Sequence, residues 1–74
     1  MYTPSEKELA EMWFKKECSP NNIIFWYKEL PYNMELRYFP DNENKWEYND
    51  LDYKFIYPES REEIECFIKL VTIK

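Results

Sequence analysis

The stretch that decides the fold is MELRYFPDNENKWEY, which runs from Met34 to Tyr48. Apolar and polar side chains alternate in its first five residues and again over its last three, as they do along a strand with one buried face. The residues between these segments, 40–44, are proline, asparagine and acidic residues that favour a turn. The stretch therefore predicts an antiparallel β-hairpin.

Two further segments would extend this hairpin into a sheet. Alternation continues from Tyr53 to Tyr57, which predicts another strand. The segment from Asn22 to Leu30 contains the run Ile-Ile-Phe-Trp-Tyr, whose β-branched and aromatic side chains favour a strand. The same segment also has apolar residues at helical spacing, namely Ile23, Trp26, Tyr27 and Leu30. We predict a strand there, with a helix as the alternative.

A helix is predicted at each end of the chain. The first would run from Pro4 to Glu17, with Thr3 as its N-cap and Glu6 completing a capping box. The second would start after Ser60, which forms a capping box with Glu63. It continues with apolar residues at the spacing of an amphipathic helix, Ile64, Phe67, Ile68 and Val71.

The predicted fold class is therefore α+β, with an antiparallel sheet of three or four strands flanked by an N-terminal and a C-terminal helix. A length of 74 residues predicts a single domain, 1–74. The chain contains no glycine, so turns that need a positive φ must use asparagine or aspartate instead. The residues placed to do so are Asn33, Asn42, Asn44, Asn49 and Asp50.

The composition excludes several kinds of catalytic site. Without glycine there is no phosphate-binding loop, and without histidine there is no Ser-His or Cys-His nucleophile. Cys18 and Cys66 are interpreted as reduced thiols in core or boundary positions, although a single bridge between them stays open. We therefore predict no catalytic, cofactor or metal site, and expect the protein not to be an enzyme.

The charge indicates which partners are favoured. Fifteen acidic residues against ten basic ones give a net charge of -5. This disfavours direct binding to nucleic acid or to an anionic membrane, and it favours a partner protein with a basic surface. The N-terminus lacks the features of a signal peptide, and no apolar run is long enough for a membrane span. We therefore expect a cytoplasmic protein.

The candidate partner-binding residues lie in the acidic hairpin, by which we mean the stretch from Asp41 to Asp52, and at Tyr53 just beyond it. Acidic side chains there surround aromatic ones, an arrangement that suits docking on a basic groove because charges give steering and a buried ring gives affinity. In the alternative interpretation, the tryptophan and its neighbouring tyrosine belong to the core and the acids solvate a turn. The candidates are Asp41, Glu43, Trp46, Glu47, Tyr48, Asp50, Asp52 and Tyr53.

The number of aromatic residues gives a second indication of a partner. They make up 20% of the chain, and three are consecutive at residues 25–27. Because strand side chains alternate between faces, these three cannot all face one core. If the helices cover one face of the sheet, several aromatic residues lie on the other. Such a surface is typical of a binding site or a homodimer interface.

Two resemblances bear on function. The order helix–strands–helix is similar to that of the double-stranded-RNA-binding domain, but the second helix here begins Ser60-Arg61-Glu62-Glu63 instead of with a lysine cluster, so RNA binding is not predicted. In size, acidity and the stretch from Asp41 to Asp52, the chain resembles small bacteriophage proteins that inhibit CRISPR or restriction systems. That resemblance implies an inhibitor or regulator of a host defence protein in the host cytoplasm. The alternatives are a DNA mimic that occupies a nucleic-acid groove, and a structural or assembly protein that dimerises through its aromatic sheet face.

Overall fold

The computed structural model describes residues 1–50 and 52–72. Within them the chain forms one antiparallel sheet of five strands, whose spatial order β1-β2-β3-β4-β5 follows their order in the sequence. The elements are α1 (Glu6–Glu11), β1 (Lys15–Cys18), β2 (Ile24–Leu30), β3 (Met34–Phe39), β4 (Lys45–Asn49), β5 (Tyr53–Ile56) and α2 (Arg61–Thr72). The predicted α+β class and the strand at residues 22–30 are confirmed, but the sheet has five strands instead of three or four.

The additional strand is β1, and it lies in a segment that was predicted to be helical as far as Glu17. Helix α1 ends at Glu11 because the backbone of Trp13 enters the left-handed region, with φ at 68°. The N–H of Phe14 then donates to the carbonyl of Leu9 at 3.0 Å, and that of Trp13 donates to Ala10 at 3.1 Å. These two bonds form a Schellman motif, which closes the helix and redirects the chain into β1.

The helix caps differ in detail from the prediction. Helix α1 is capped by Ser5 and not by Thr3: the Ser5 hydroxyl accepts from the N–H of Glu8, and the Glu8 carboxylate accepts from the N–H of Ser5. At α2 the Ser60 hydroxyl accepts from the N–H of Glu63 at 3.3 Å, as expected. The Glu63 carboxylate, however, accepts from the N–H of Glu59. The capping-box pattern therefore marked both helix starts to within a few residues.

The core lies on one face of the sheet, which we call the helix-covered face. It contains Trp46, which is fully buried. The centre of the Trp46 ring lies 4.6 Å from that of Tyr38 and 6.0 Å from that of Phe14. The N-terminal segment closes over the same ring: Tyr2 stacks on it, and the Trp46 indole N–H donates to the Tyr2 carbonyl at 3.2 Å. The remaining buried core residues are Leu9, Met12, Leu30, Leu36, Tyr48 and Ile64.

The hairpin turns show how a chain without glycine reverses direction. Asn33 and Asn44 have positive φ, as predicted, whereas Asn42, Asn49 and Asp50 do not. The loops between the paired strands have three residues (31–33) and five residues (40–44), and in each the residue before the asparagine also adopts the left-handed conformation. These residues are Tyr32, with φ at 65°, and Glu43, with φ at 58°. Asn22 and Trp13 are the other described residues with a positive φ.

Two further expectations concern the surface. The thiols of Cys18 and Cys66 are free, and both side chains are exposed, so the expected core or boundary position is wrong for both. The reason is that Cys18 ends the edge strand β1, while Cys66 faces away from the core on α2. Across residues 1–50 and 52–72, no helix combines the length and apolar character needed to cross a bilayer.

Candidate functional site

The acids of the acidic hairpin do not form one cluster. Asp41 and Glu43 lie in the turn between β3 and β4, whereas Asp50 and Asp52 lie in the turn between β4 and β5. Those turns are at opposite ends of β4, which has five residues. At a rise of about 3.4 Å per residue, the two pairs are separated by roughly 17 Å. A single basic groove would have to span the sheet to contact both pairs.

Two of the predicted contact residues lie in the core. The exposed fraction is 0% for Trp46 and 9% for Tyr48. The Tyr48 ring meets the ring of Phe67 from α2 edge-on at 5.0 Å. Both side chains point to the helix-covered face, as the alternative interpretation expected, so neither offers a surface to a partner.

The acids differ in whether they are already paired. Glu47 lies 3.9 Å from the guanidinium of Arg37, and Asp50 forms an ion pair with Lys54 at 3.5 Å. The carboxylates of Asp41, Glu43 and Asp52 form no ion pair with another described residue. These three charges are available to a partner, and their contact with one stays a prediction.

The opposite side of the sheet, which we call the helix-free face, carries the remaining candidate. Tyr53 lies there with 68% of its side chain exposed. Strand alternation and register define this face, since Arg37 pairs with Tyr27 on one side and with Glu47 on the other. Its strand residues are Lys15, Glu17, Phe25, Tyr27, Glu29, Glu35, Arg37, Phe39, Lys45, Glu47, Asn49, Tyr53 and Phe55.

Two aromatic groups lie on the helix-free face. In the first, the ring of Phe25 is 5.4 Å from that of Phe39 and 6.2 Å from that of Tyr27. The second consists of Tyr53 and Phe55 on the edge strand β5, and 49% of the Phe55 side chain is exposed. The expectation that several aromatic residues lie opposite the helices is confirmed. The group on β5 is exposed, whereas the three rings of the first group are half-buried.

A polar strip separates the two aromatic groups. Arg37 donates to Glu35 at 2.5 Å, and its guanidinium also lies 5.6 Å above the ring of Phe25. Burial alone would lower the pKa of Arg37, but the hydrogen bond to Glu35 and the nearby charges of Glu35 and Glu47 raise it above its ordinary value. Lys45 lies 4.9 Å from the ring centre of Phe55. Fixed cations therefore already contact aromatic rings on this face.

The candidate-residue prediction missed most of the helix-free face. Phe25, Tyr27, Phe39 and Phe55 were not among the candidate contact residues, although the aromatic count indicated that such a face exists. The period-two pattern of β2 and β3 places these rings opposite the apolar residues of the core. This alternation identifies the rings as surface residues, but only once it is known which face of the sheet the helices cover.

Comparison of the chain with protein-family models, with curated proteins and with solved structures found no match in any of the three.

Proposed function

We propose that this chain is a small acidic protein-binding module, and not an enzyme, that contacts its partner through the helix-free face. The observation that carries the proposal is the pair of aromatic groups on a sheet face without a helix. Groups of exposed apolar side chains, especially when polar residues border them, often mark a protein–protein contact. Tyrosine and phenylalanine are also enriched where protein interfaces are buried.

The polar strip supports the same surface. Arg37 already has carboxylate partners within the protein, so a partner that covers it would not bury an uncompensated charge. The aromatic groups on either side could then act as anchors, because binding energy concentrates in a few large desolvated side chains. The unpaired acids Asp41, Glu43 and Asp52, with the net charge of -5, would steer the chain toward a basic surface.

The resemblance to bacteriophage inhibitors of host defence gives this proposal a biological setting. In that setting the partner is a host defence protein in the cytoplasm, and the module inhibits or regulates it. The wide separation of the acidic pairs argues against a DNA mimic, since phosphate-like charges on that scale would need to form a continuous row.

Affinity capture tests the proposal. The protein is coupled to a support through the exposed thiol of Cys66, which lies on α2, with Cys18→Ser making the coupling unique. It is then incubated with lysate of the cells in which the protein occurs. We expect a specific protein to be retained by the wild type and lost with the double variant Tyr53→Ser/Phe55→Ser, because that variant removes the exposed aromatic group of β5.

The matched control is Leu70→Ser, which changes an equally exposed apolar residue on α2 and should leave retention unchanged. Equal retention by the double variant and the wild type would mean that the helix-free face is not the contact surface. Sedimentation equilibrium of the pure protein identifies the competing role. A dimer that the double variant abolishes would replace the partner-binding proposal with a homodimeric assembly role.

A further inference from the structure

Trp13 is a residue that neither packing nor backbone conformation explains. Its side chain is 80% exposed, so it contributes little to the core. Its φ of 68° places it at the position of the Schellman motif where glycine is usual. A side chain in the left-handed region costs roughly 1–2 kcal/mol relative to glycine. Non-glycine residues held in this region are concentrated at functional sites.

Two open recesses flank Trp13. The larger, of about 290 Å³, lies between the end of α1, α2 and β2, and its apolar wall is formed by Met12 and Ile68. The smaller, of about 200 Å³, is also lined by Trp13 and lies against β1 and β2, where Tyr27 lines it. An extended segment that crosses Trp13 would therefore lie next to both recesses.

Within the described residues, two lysines of the larger recess form no ion pair. Its two acids are both held by Arg61, which donates to Glu11 at 2.7 Å and to Glu65 at 2.6 Å. Lys28 and Lys69 line the same recess and form no ion pair with a described residue. Arg61 and its two acids sum to a charge of -1, and the two ammonium groups, which pair with no described acid, bring the lining of the recess to +1.

The smaller recess repeats this imbalance. Lys28 and Lys15 line it with a single acid, Glu29. The residues around both recesses carry four positive charges, on Lys15, Lys28, Arg61 and Lys69, against three negative ones. On a chain whose net charge is -5, the surroundings of Trp13 are thus locally basic. That contrast indicates an anionic ligand at this place.

We propose that Trp13, Lys15, Lys28 and Lys69 form a second binding site, which takes a short acidic segment of a protein partner. An apolar side chain of the segment packs against the indole ring, and its carboxylates contact the lysines on either side. Tryptophan is enriched among the residues that dominate binding energy, and lysines near it would give the site electrostatic complementarity to an acidic segment. A protein segment fits better than a nucleic acid, because its few charges match three lysines while a polyanion would be repelled by the rest of the chain. This site shares Lys15 with the β1 edge of the helix-free face, but it does not rest on the function proposed for the aromatic groups of that face.

The test uses three blocked peptides, Glu-Glu-Leu-Glu-Glu, Gln-Gln-Leu-Gln-Gln and Lys-Lys-Leu-Lys-Lys, titrated into the labelled protein. The readout is the indole N–H resonance of Trp13, assigned from its loss in the variant Trp13→Gly. We expect only the acidic peptide to shift this resonance. Lys28→Gln/Lys69→Gln should weaken binding about tenfold, since two charge contacts are lost.

Control variants distinguish binding at this site from non-specific attraction between opposite charges. Lys7→Gln/Lys45→Gln removes two lysines from outside the recesses and should leave the affinity unchanged. Tyr53→Ser/Phe55→Ser should also bind the peptide normally, which keeps this result independent of the helix-free face. Trp13→Gly, in which binding is followed by the backbone N–H resonances of Lys15 and Lys28, should not bind the peptide, while its melting temperature stays at or above that of the wild type because glycine relieves the left-handed strain.

Two outcomes would overturn the proposal. One is an acidic peptide that leaves the Trp13 resonance unchanged or that binds the lysine variants equally well. The other is a shift of this resonance by single-stranded oligothymidylate but not by the peptide, which would assign the site to nucleic acid. A marked loss of stability in Trp13→Gly would show instead that the indole ring has a structural role.

Discussion

At the scale of single residues, the absence of glycine costs conformational free energy at some left-handed positions and little at others. Asn22, Asn33 and Asn44 adopt the left-handed conformation at little cost, because asparagine tolerates it better than other residues with a Cβ. Glu43 and Trp13 occupy the same region without that tolerance. Each such position is a place where the sequence departs from the choice that stability alone would favour.

Glu43 allows a direct measurement of this cost. We expect Glu43→Asn to raise the free energy of unfolding by up to about 1 kcal/mol, since it relieves strain in the β3–β4 turn. For a domain of this size that gain corresponds to a melting temperature higher by roughly 4–8 °C. Thermal unfolding followed by circular dichroism measures it.

The control for this prediction is Asp41→Asn in the same turn. It also removes one negative charge, but Asp41 does not have a positive φ. Its effect on the melting temperature should therefore be close to zero. Equal stabilisation by both substitutions would attribute the gain to reduced charge repulsion and not to backbone conformation.

A second residue-scale feature is the hydrogen bond from the Tyr2 hydroxyl to the Glu8 carboxylate at 2.8 Å. This bond is the main reason that the pKa of Glu8 lies below its ordinary value of 4.5. Burial, followed by the same bond, raises the pKa of Tyr2 above its ordinary value of 10.0. A depressed carboxyl pKa stabilises the fold above the ordinary pKa of the group, and a raised phenol pKa stabilises it below.

Tyr2→Phe should therefore be less stable than the wild type mainly between about pH 4.5 and pH 10. The difference should shrink on acidification, when Glu8 becomes protonated in the folded protein, and again at alkaline pH. Urea unfolding across this range measures it, and the NMR-detected pKa of Glu8 should rise toward 4.5 in the variant. Tyr53→Phe, at an exposed position, should show no such window. A constant difference at all pH values would exclude the bond as the cause.

At the scale of elements, the sequence identified each segment in which one periodicity dominates. The two-residue period of β3 and β4 and the helical spacing of α2 are unambiguous, and the structure confirms all three. The boundary between α1 and β1 could not be located in the same way. The apolar stripe that places Leu9 and Met12 in the core continues into Trp13 and Phe14, and the usual glycine stop is absent. The Schellman motif at Trp13 ends this helix, and it does so without the glycine that would have marked the end in the sequence.

Helix α2 offers the corresponding stability prediction. Ile64 is fully buried against the sheet. We expect Ile64→Val to lower the free energy of unfolding by about 0.5–1.5 kcal/mol, because one buried methylene group is lost from a packed core. Urea denaturation measures this change. Leu70→Ala on the exposed side of the same helix is the control and should have little effect. A comparable loss from both would show that helix propensity and not packing accounts for it.

At the scale of the whole molecule, the candidate surfaces were harder to predict than the fold. Residues 41–53 look like one acidic patch when they are read in order, yet an antiparallel hairpin sends its successive turns to opposite ends of the sheet. Whether an alternating aromatic residue is core or surface depends on which face the helices cover, and periodicity alone leaves that open. Trp46 and Tyr53 thus look alike in the sequence but lie on opposite sides of the molecule.

Net charge gave a similarly incomplete picture. The total of -5 correctly describes a chain with several unpaired acids, but it conceals the locally basic surroundings of Trp13. Charge acts on a partner over about 10 Å at moderate ionic strength, so its local distribution matters more than its sum. A protein of this size can therefore present surfaces of opposite character to two partners, or to two parts of one partner.

The strand order of the sheet has a consequence for how the chain reaches its fold. Each strand pairs with the strand that precedes it in the sequence, so every pairing closes a loop of only a few residues. Such closures cost little entropy, and chains dominated by them fold rapidly for their size. Contacts between the two ends of the chain form over a much longer sequence distance: Tyr2 hydrogen-bonds to Pro58 and Trp46, and Arg61 pairs with Glu11. We therefore expect the hairpins to assemble in turn as the chain emerges from the ribosome, and the N-terminal segment to settle over Trp46 as a late step.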